Sequence, residues 1–263
     1  MKAQWGLITR STLAYLLAVT VVLLLHETSH AIAGITQGSA AVQLPFAVGY
    51  RPELGTTSSI IATATGPLFS LVSGVILIWF RPWRRSPFWG LAFSWFAFLS
   101  AEEGFGYFTI SGLGAGDTSV VLGLLDAPGW IYILCTIFGI AGLFFLALCW
   151  VPHAADFSTD IDEYRAISMW TWIFGTIIIT LLTLLYVLLS PGVPADDSIA
   201  VMLGAFSLGV FAPLSFIYDK RRDAVGFAAE RPRFGRGAVT TGLVVLILLV
   251  IGNLLLTRGL VWG

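Results

Sequence analysis

"LAYLLAVTVVLLLHETSHAIAG" runs from Leu13 to Gly34. Its first thirteen residues carry no charge, and apolar character resumes with Ala31, Ile32 and Ala33 after His26, Glu27 and His30. A bilayer crossing needs about 20 predominantly apolar residues, so the stretch reads as a membrane helix. Ionisable side chains inside such a helix are costly. They face the bundle interior or a water-filled cavity, and they mark functional sites.

The rest of the chain supports a membrane setting. Of 263 residues, 57% are hydrophobic and only 11% charged, with a mean hydropathy of +0.88. A soluble domain carries about 25% charged residues. This chain lacks the polar groups to cover a surface in water, which predicts an all-α polytopic membrane protein. The formal net charge of −1 gives no basic excess for nucleic acid. Apolar runs predict seven transmembrane helices, over 11–33, 57–80, 88–110, 129–150, 170–190, 198–217 and 237–257. Residues 34–56, with "AVQLPFAVGYRPELG", are too short and too polar to cross, and predict a hairpin-like or re-entrant element after the first helix. No soluble domain stands apart. The chain is one membrane domain, with the motifs within 1–130 and further transmembrane helices in 131–263. Cys135 and Cys149 share one apolar run. Fourteen helical residues separate them by about 21 Å, too far for a mutual disulfide.

Lys and Arg counted by side orient the helices. Twelve fall on the side of the N-terminus, and only Arg51 and Arg258 on the other. The expectation is a plasma (inner) membrane protein with its N-terminus cytoplasmic and its C-terminus outside. Lys2 and Arg10, the run to Leu25 and Ala31-Ile32-Ala33 also imitate a signal peptide. A His-Glu-x-x-His insertion before the cleavage site is foreign to that pattern.

On a helix, His26 and His30 share one face about 6 Å apart, so both imidazoles can meet one Zn²⁺. Glu27 sits further round, placed to reach a water at the metal rather than the metal itself. The ion lowers the pKa of water and the carboxylate takes its proton, which is the chemistry of the H-E-x-x-H signature. The plainer alternative is two histidines bonded to neighbouring helices or ligating haem. His153 falls in a predicted loop on the opposite side and is a poor ligand candidate.

A catalytic zinc takes three protein ligands and leaves one position open. Three features approach the depth of His26: the "GPLFS" segment Gly66–Ser70, the pair Glu102 and Glu103, and Asp117 in "GLGAGDTSVV". Asp117 is the preferred third ligand, since its glycine-rich run lets the backbone come close; its alternative is to cap a short helix. Asp126 is the rival, but "DAPG" reads as a turn. Glu102 and Glu103 are candidates to ligate or to orient an imidazole.

"HETSHAIAGITQGSAAVQL" followed by "ATGPLFSLVSGVILI" resembles the site-2-type intramembrane zinc metalloproteases, especially their smaller, compact branch, over roughly residues 15–130. The resemblance implies a zinc ion held by His26, His30 and Asp117, with Glu27 as general base for hydrolysis of membrane-embedded or membrane-anchored protein substrates. It implies a membrane-associated β-element near residues 38–56 that could pair with an extended substrate. Where many members have Asn at the end of GPxxN, a donor to the tetrahedral oxyanion, this chain has Ser70. Asp117 is followed by Thr118 rather than Gly, and charge counting sets the site near the outer face, not the cytoplasmic one.

Two other classes compete. One is a non-catalytic metal- or client-binding membrane protein, a protease relic or a metal transporter. The other is an assembly scaffold using Gly104 and Gly106 for helix packing. The acidic run Asp156–Tyr164 reads as a solvated loop.

Overall fold

The computed structural model describes residues 2–80, 86–191, 201, 202, 204, 205, 207–218, 226–230 and 232–263. In hydrocarbon every backbone amide and carbonyl must be bonded within the protein, and the apolar runs fold into helices accordingly. The order is α1 (Lys2–Thr36), β1 (Ala40–Leu44), β2 (Ala47–Arg51), α2 (Thr56–Phe80), α3 (Pro87–Ser111), α4 (Gly116–Leu124), α5 (Gly129–Ala155) and α6 (Ile161–Arg165). A π-helical turn, Ala166–Trp170, leads into α7 (Thr171–Leu189). The short α8 (Phe211–Leu214), α9 (Arg236–Leu256) and β3 (Leu260–Trp262) complete the described elements.

Among the described residues five helices are long and apolar enough to cross a membrane: α1, α2, α5, the run through α6 and α7, and α9. Two of the seven predicted spans fall outside this set. The 25-residue α3 carries Glu102 and Glu103 together with tryptophan and serine, which lower its hydropathy. The span expected at 198–217 lies partly outside the described residues.

Residues 34–56 contain a β-hairpin. β1 pairs antiparallel with β2, from Ala40 opposite Arg51 to Leu44 opposite Ala47. The far edge of β1 takes β3, with Val42 opposite Val261. No sequence signal foretold that third strand. It sets the end of α9 beside the end of α1, so the two helices run parallel. The α7 helix shares their direction: Gly175 of α7 and Gly242 of α9 lie at the Tyr15–Leu17 level of α1, and Tyr186 near the end of α7 approaches Asn253 near the end of α9.

The core lies between α1, α3, α5 and the α8 segment, around Tyr15, Trp95, Phe98, Trp150 and Phe211. Trp95 and Trp150 meet at a tilt with ring centroids 4.2 Å apart, and Phe98 and Phe211 stack at 5.5 Å. Small residues let backbones approach. A Cβ on Gly74 would strike the Ala97 and Ala101 backbone, and one on Gly104 would strike Leu71. Gly106 has no such contact, its nearest neighbour being Glu102 at 3.9 Å.

Two loop expectations need correction. His153 lies inside α5 and is buried, because α5 runs five residues past the predicted end and packs its last turn under Phe98. Residues Asp156–Tyr164 are not a solvated loop. Asp160 caps α6, its side chain accepting from the Glu163 amide, while Glu163 and Tyr164 are buried.

Candidate metal centre

The α1 helix aims both histidines of HETSH at one point: the Nε2 atoms of His26 and His30 lie 3.0 Å apart. Asp117, in the first turn of α4, brings Oδ2 to 3.3 Å from His26 Nε2 and 3.1 Å from His30 Nε2. Ala115, not Asp117, is the N-cap of α4, and the Asp117 carboxylate turns to the imidazoles instead. Its side chain is 26% exposed, while His26 and His30 are buried.

What the rings bond on their other side decides the chemistry. His30 Nδ1 lies 2.7 Å from the Ala62 carbonyl. A carbonyl only accepts, so Nδ1 carries the proton and Nε2 of the neutral ring is a bare lone pair. Ala62 lies in the turn of α2 just before Pro67, and its carbonyl has two lone pairs, so it can accept from the ring as well as from the helix. His26 Nδ1 lies 3.3 Å from Glu103 Oε2. The carboxylate fixes the same tautomer there, in the orienting role that outer carboxylates play behind metal-bound histidines.

Two imidazole lone pairs and a carboxylate oxygen therefore face one another within 3.3 Å. They repel unless something positive lies between them, and one proton bridges only one of the three edges. Atoms with these separations share a point about 2.1 Å from each, set about 1 Å off their plane. That is the ligand distance of Zn²⁺, with one tetrahedral position left open. The donor set fits the ion.

The walls are shaped to the rings. A Cβ on Gly66 would run into both imidazoles, so only glycine lets α2 pass this close. On the other flank Tyr107 stacks on His26, with ring centroids 5.1 Å apart and planes 10° from parallel. Tyr107 also lies against Gly116 (φ 75°), where a side chain would meet both the ring and a left-handed backbone.

Glu27 is buried beside the cluster and makes no direct hydrogen bond to it. Near it stands Tyr50 of β2, whose hydroxyl donates to the His30 carbonyl at 3.2 Å. Burial, with the charges of Glu27 and Asp117, pushes that hydroxyl up to about 12; at neutral pH it stays a proton donor.

The remaining expected residues divide. Glu103 orients His26. Ser70 is buried on the Nδ1 side of His26, 3.3 Å away, and donates its proton to Glu103 Oε2 at 2.6 Å. It thus backs the ring rather than facing the ligand cluster. Glu102 points away from the cluster and accepts from the Gly209 amide at 3.3 Å. Asp126 lies in a turn after α4 with φ 51° and is no part of the cluster. Sequence reasoning missed Tyr50, Tyr107 and the Ala62 carbonyl. Tyr107 was findable, since it follows Glu103 by one helical turn and shares its face. Tyr50 and Ala62 reach the site only through tertiary folding. No protein-family model, curated protein or solved structure matches the chain.

Proposed function

We propose that this chain is a zinc endopeptidase of the site-2 type, hydrolysing peptide bonds of membrane-embedded or membrane-anchored proteins. One observation carries the reading: His26 Nε2, His30 Nε2 and Asp117 Oδ2 converge with both tautomers set to leave lone pairs facing inward. These three residues would hold the ion. Bound there, Zn²⁺ supplies Lewis acidity that brings the pKa of water toward ~7. Glu27 takes the proton of the attacking water and returns it to the leaving amine. Glu103 keeps His26 in the ligating tautomer. Among the described residues there is a single cluster of three metal-ligating side chains. That favours an enzyme over a transporter, which would need ligands along a path.

The topology joins this reading. We infer that the chain recrosses the bilayer between α7 and α9, which run parallel. Leu208–Tyr218 follows such a path: the Leu208 carbonyl meets the Tyr15 hydroxyl, while Ser215 lies 3.5 Å from Tyr164 at the far end of the bundle. Adding α3 and this return to the five spans of the described residues gives the seven crossings of the proposed topology. The hairpin and β3 then share one face. The distribution of Lys and Arg assigns that face to the outside of the plasma (inner) membrane, with the N-terminus cytoplasmic.

Zinc content and hydrolysis of loosely folded casein by the detergent-purified chain test the proposal. Glu27→Gln should keep one zinc per chain and lose at least 10²-fold in turnover. His26→Ala and Asp117→Ala should lose the metal as well. Parental turnover by Glu27→Gln sinks the hydrolase, and a parent that takes up no zinc sinks the metal centre itself.

A further inference from the structure

Hydrolysis leaves one charge to be met. As water adds to the scissile carbonyl, its oxygen becomes negative, and preorganised donors aimed at that oxygen supply a large share of catalysis. Ser70 is the donor expected from the sequence, but its proton is engaged by Glu103 behind the imidazole. Tyr107 lays its ring flat against His26.

The open side is fixed by α1. At about 100° per residue, Glu27 and Gly34 follow His30 around the helix on the same flank. Tyr50 covers that flank. Its ring sits on Gly34 so closely that a Cβ there has no room. Its hydroxyl reaches the His30 carbonyl by a long hydrogen bond of 3.2 Å. Both Glu27 and Asp117 lie within electrostatic reach of that hydroxyl. Tyr107 lies within reach of the same two carboxylates; Tyr50 is the one whose hydroxyl already sits on the α1 backbone beside His30, held by a long, exchangeable hydrogen bond.

We propose that Tyr50 is a catalytic residue, its hydroxyl turning from the His30 carbonyl to hydrogen-bond the scissile carbonyl oxygen as negative charge develops there. The proposal rests on the hydrolase reading. Glu27 takes a proton from water, the water oxygen bonds to the carbonyl carbon, and the C–N bond breaks as the amine nitrogen takes that proton. Tyr50 keeps its own proton throughout.

Tyr50→Phe removes one oxygen and leaves the ring on Gly34. In the full-length, zinc-loaded chain, zinc affinity should stay within about twofold of the parent. On casein, KM should hold while kcat falls about 10²-fold. A phosphinic dipeptide isostere, which carries a tetrahedral anion, should bind more weakly by a comparable factor. Parental kcat and parental phosphinate affinity in Tyr50→Phe overturn the proposal. So does a loss of zinc affinity that accounts for the drop in kcat, since Tyr50 would then only support the site. Glu27→Gln separates the two failures. If it is inactive while Tyr50→Phe is fully active, the tyrosine is wrong and the hydrolase stands. If Glu27→Gln is active, or the parent neither cleaves casein nor binds the phosphinate, the hydrolase itself is wrong.

Discussion

Helices α1 and α9 are both long enough to cross a membrane, and α9 is the more apolar, with a peak hydropathy of 2.6 against 1.9. Yet 67% of the α1 stretch is buried and only 17% of the α9 stretch. In water that ranking would be perverse. In lipid it follows from the solvent: acyl chains are as apolar as leucine, so leucine gains little by moving inside. The interior goes to what lipid rejects or what packs closely. The α1 helix buries Ser11, Thr12, Thr20, His26, Glu27 and His30 alongside alanines and closely packed aliphatics such as Leu16 and Leu17, whereas α9 turns Leu243, Ile247, Leu248, Ile251 and Leu255 outward. Of the two, the less apolar helix carries candidate metal ligands.

If α1 is shaped around an ion, contacts to its rings should be intolerant of a single methyl group. Gly66→Ala adds a Cβ where the His30 and His26 rings already lie. Alanine favours a helix over glycine by about 1 kcal/mol, which offsets part of the roughly 1–3 kcal/mol that crowding two buried rings costs, so the metal-free fold should weaken by no more than about 2 kcal/mol. Zinc affinity, read by chelator competition, should fall by 100-fold or more, at the upper end of the range for changes behind a metal ligand. Parental affinity in Gly66→Ala would mean that the imidazoles do not hold the ion where their present geometry implies.

One step further from the ion the effect should shrink. Glu103→Ala leaves the ligands in place but takes the acceptor from His26 Nδ1 and the partner from Ser70. The His26 tautomer is then free to switch, and zinc affinity should drop by roughly 10-fold. An unchanged affinity would assign Glu103 to packing alone.

The contrast between the two helices also marks how far the sequence could be read. His26, Glu27 and His30 stood out because ionisable groups in a leucine run are anomalous, and a period of four residues is visible in one dimension. Asp117 was reached by depth, from glycines that let a loop come close. The roles of Glu103 and Glu102 were not separable: adjacent on one helix, they point to different partners, and only packing shows that one backs His26 while the other meets the Gly209 amide. Ser70 was reached by its motif position as an oxyanion donor, but its hydroxyl bonds Glu103 on the Nδ1 side of His26, a pairing that one dimension does not display. β3 escaped notice because a three-residue strand has no pattern of its own and exists through its register with β1.

The smallest effect belongs to the outer face of α9. Leu248 is 62% exposed and faces lipid in the proposed topology. Truncation to alanine leaves no cavity, because acyl chains fill the space, so Leu248→Ala should change stability by no more than about 0.5 kcal/mol. Leu17 of α1 is 4% exposed and touches Gly242 on the inner face of the same α9. Leu17→Ala opens a void that no lipid reaches and should cost about 2–3 kcal/mol. Reversible unfolding in mixed detergent micelles compares the two directly. If Leu248→Ala cost as much as Leu17→Ala, the outer face of α9 would be packed against protein rather than lipid. Its apolarity would then report a partner instead of the bilayer.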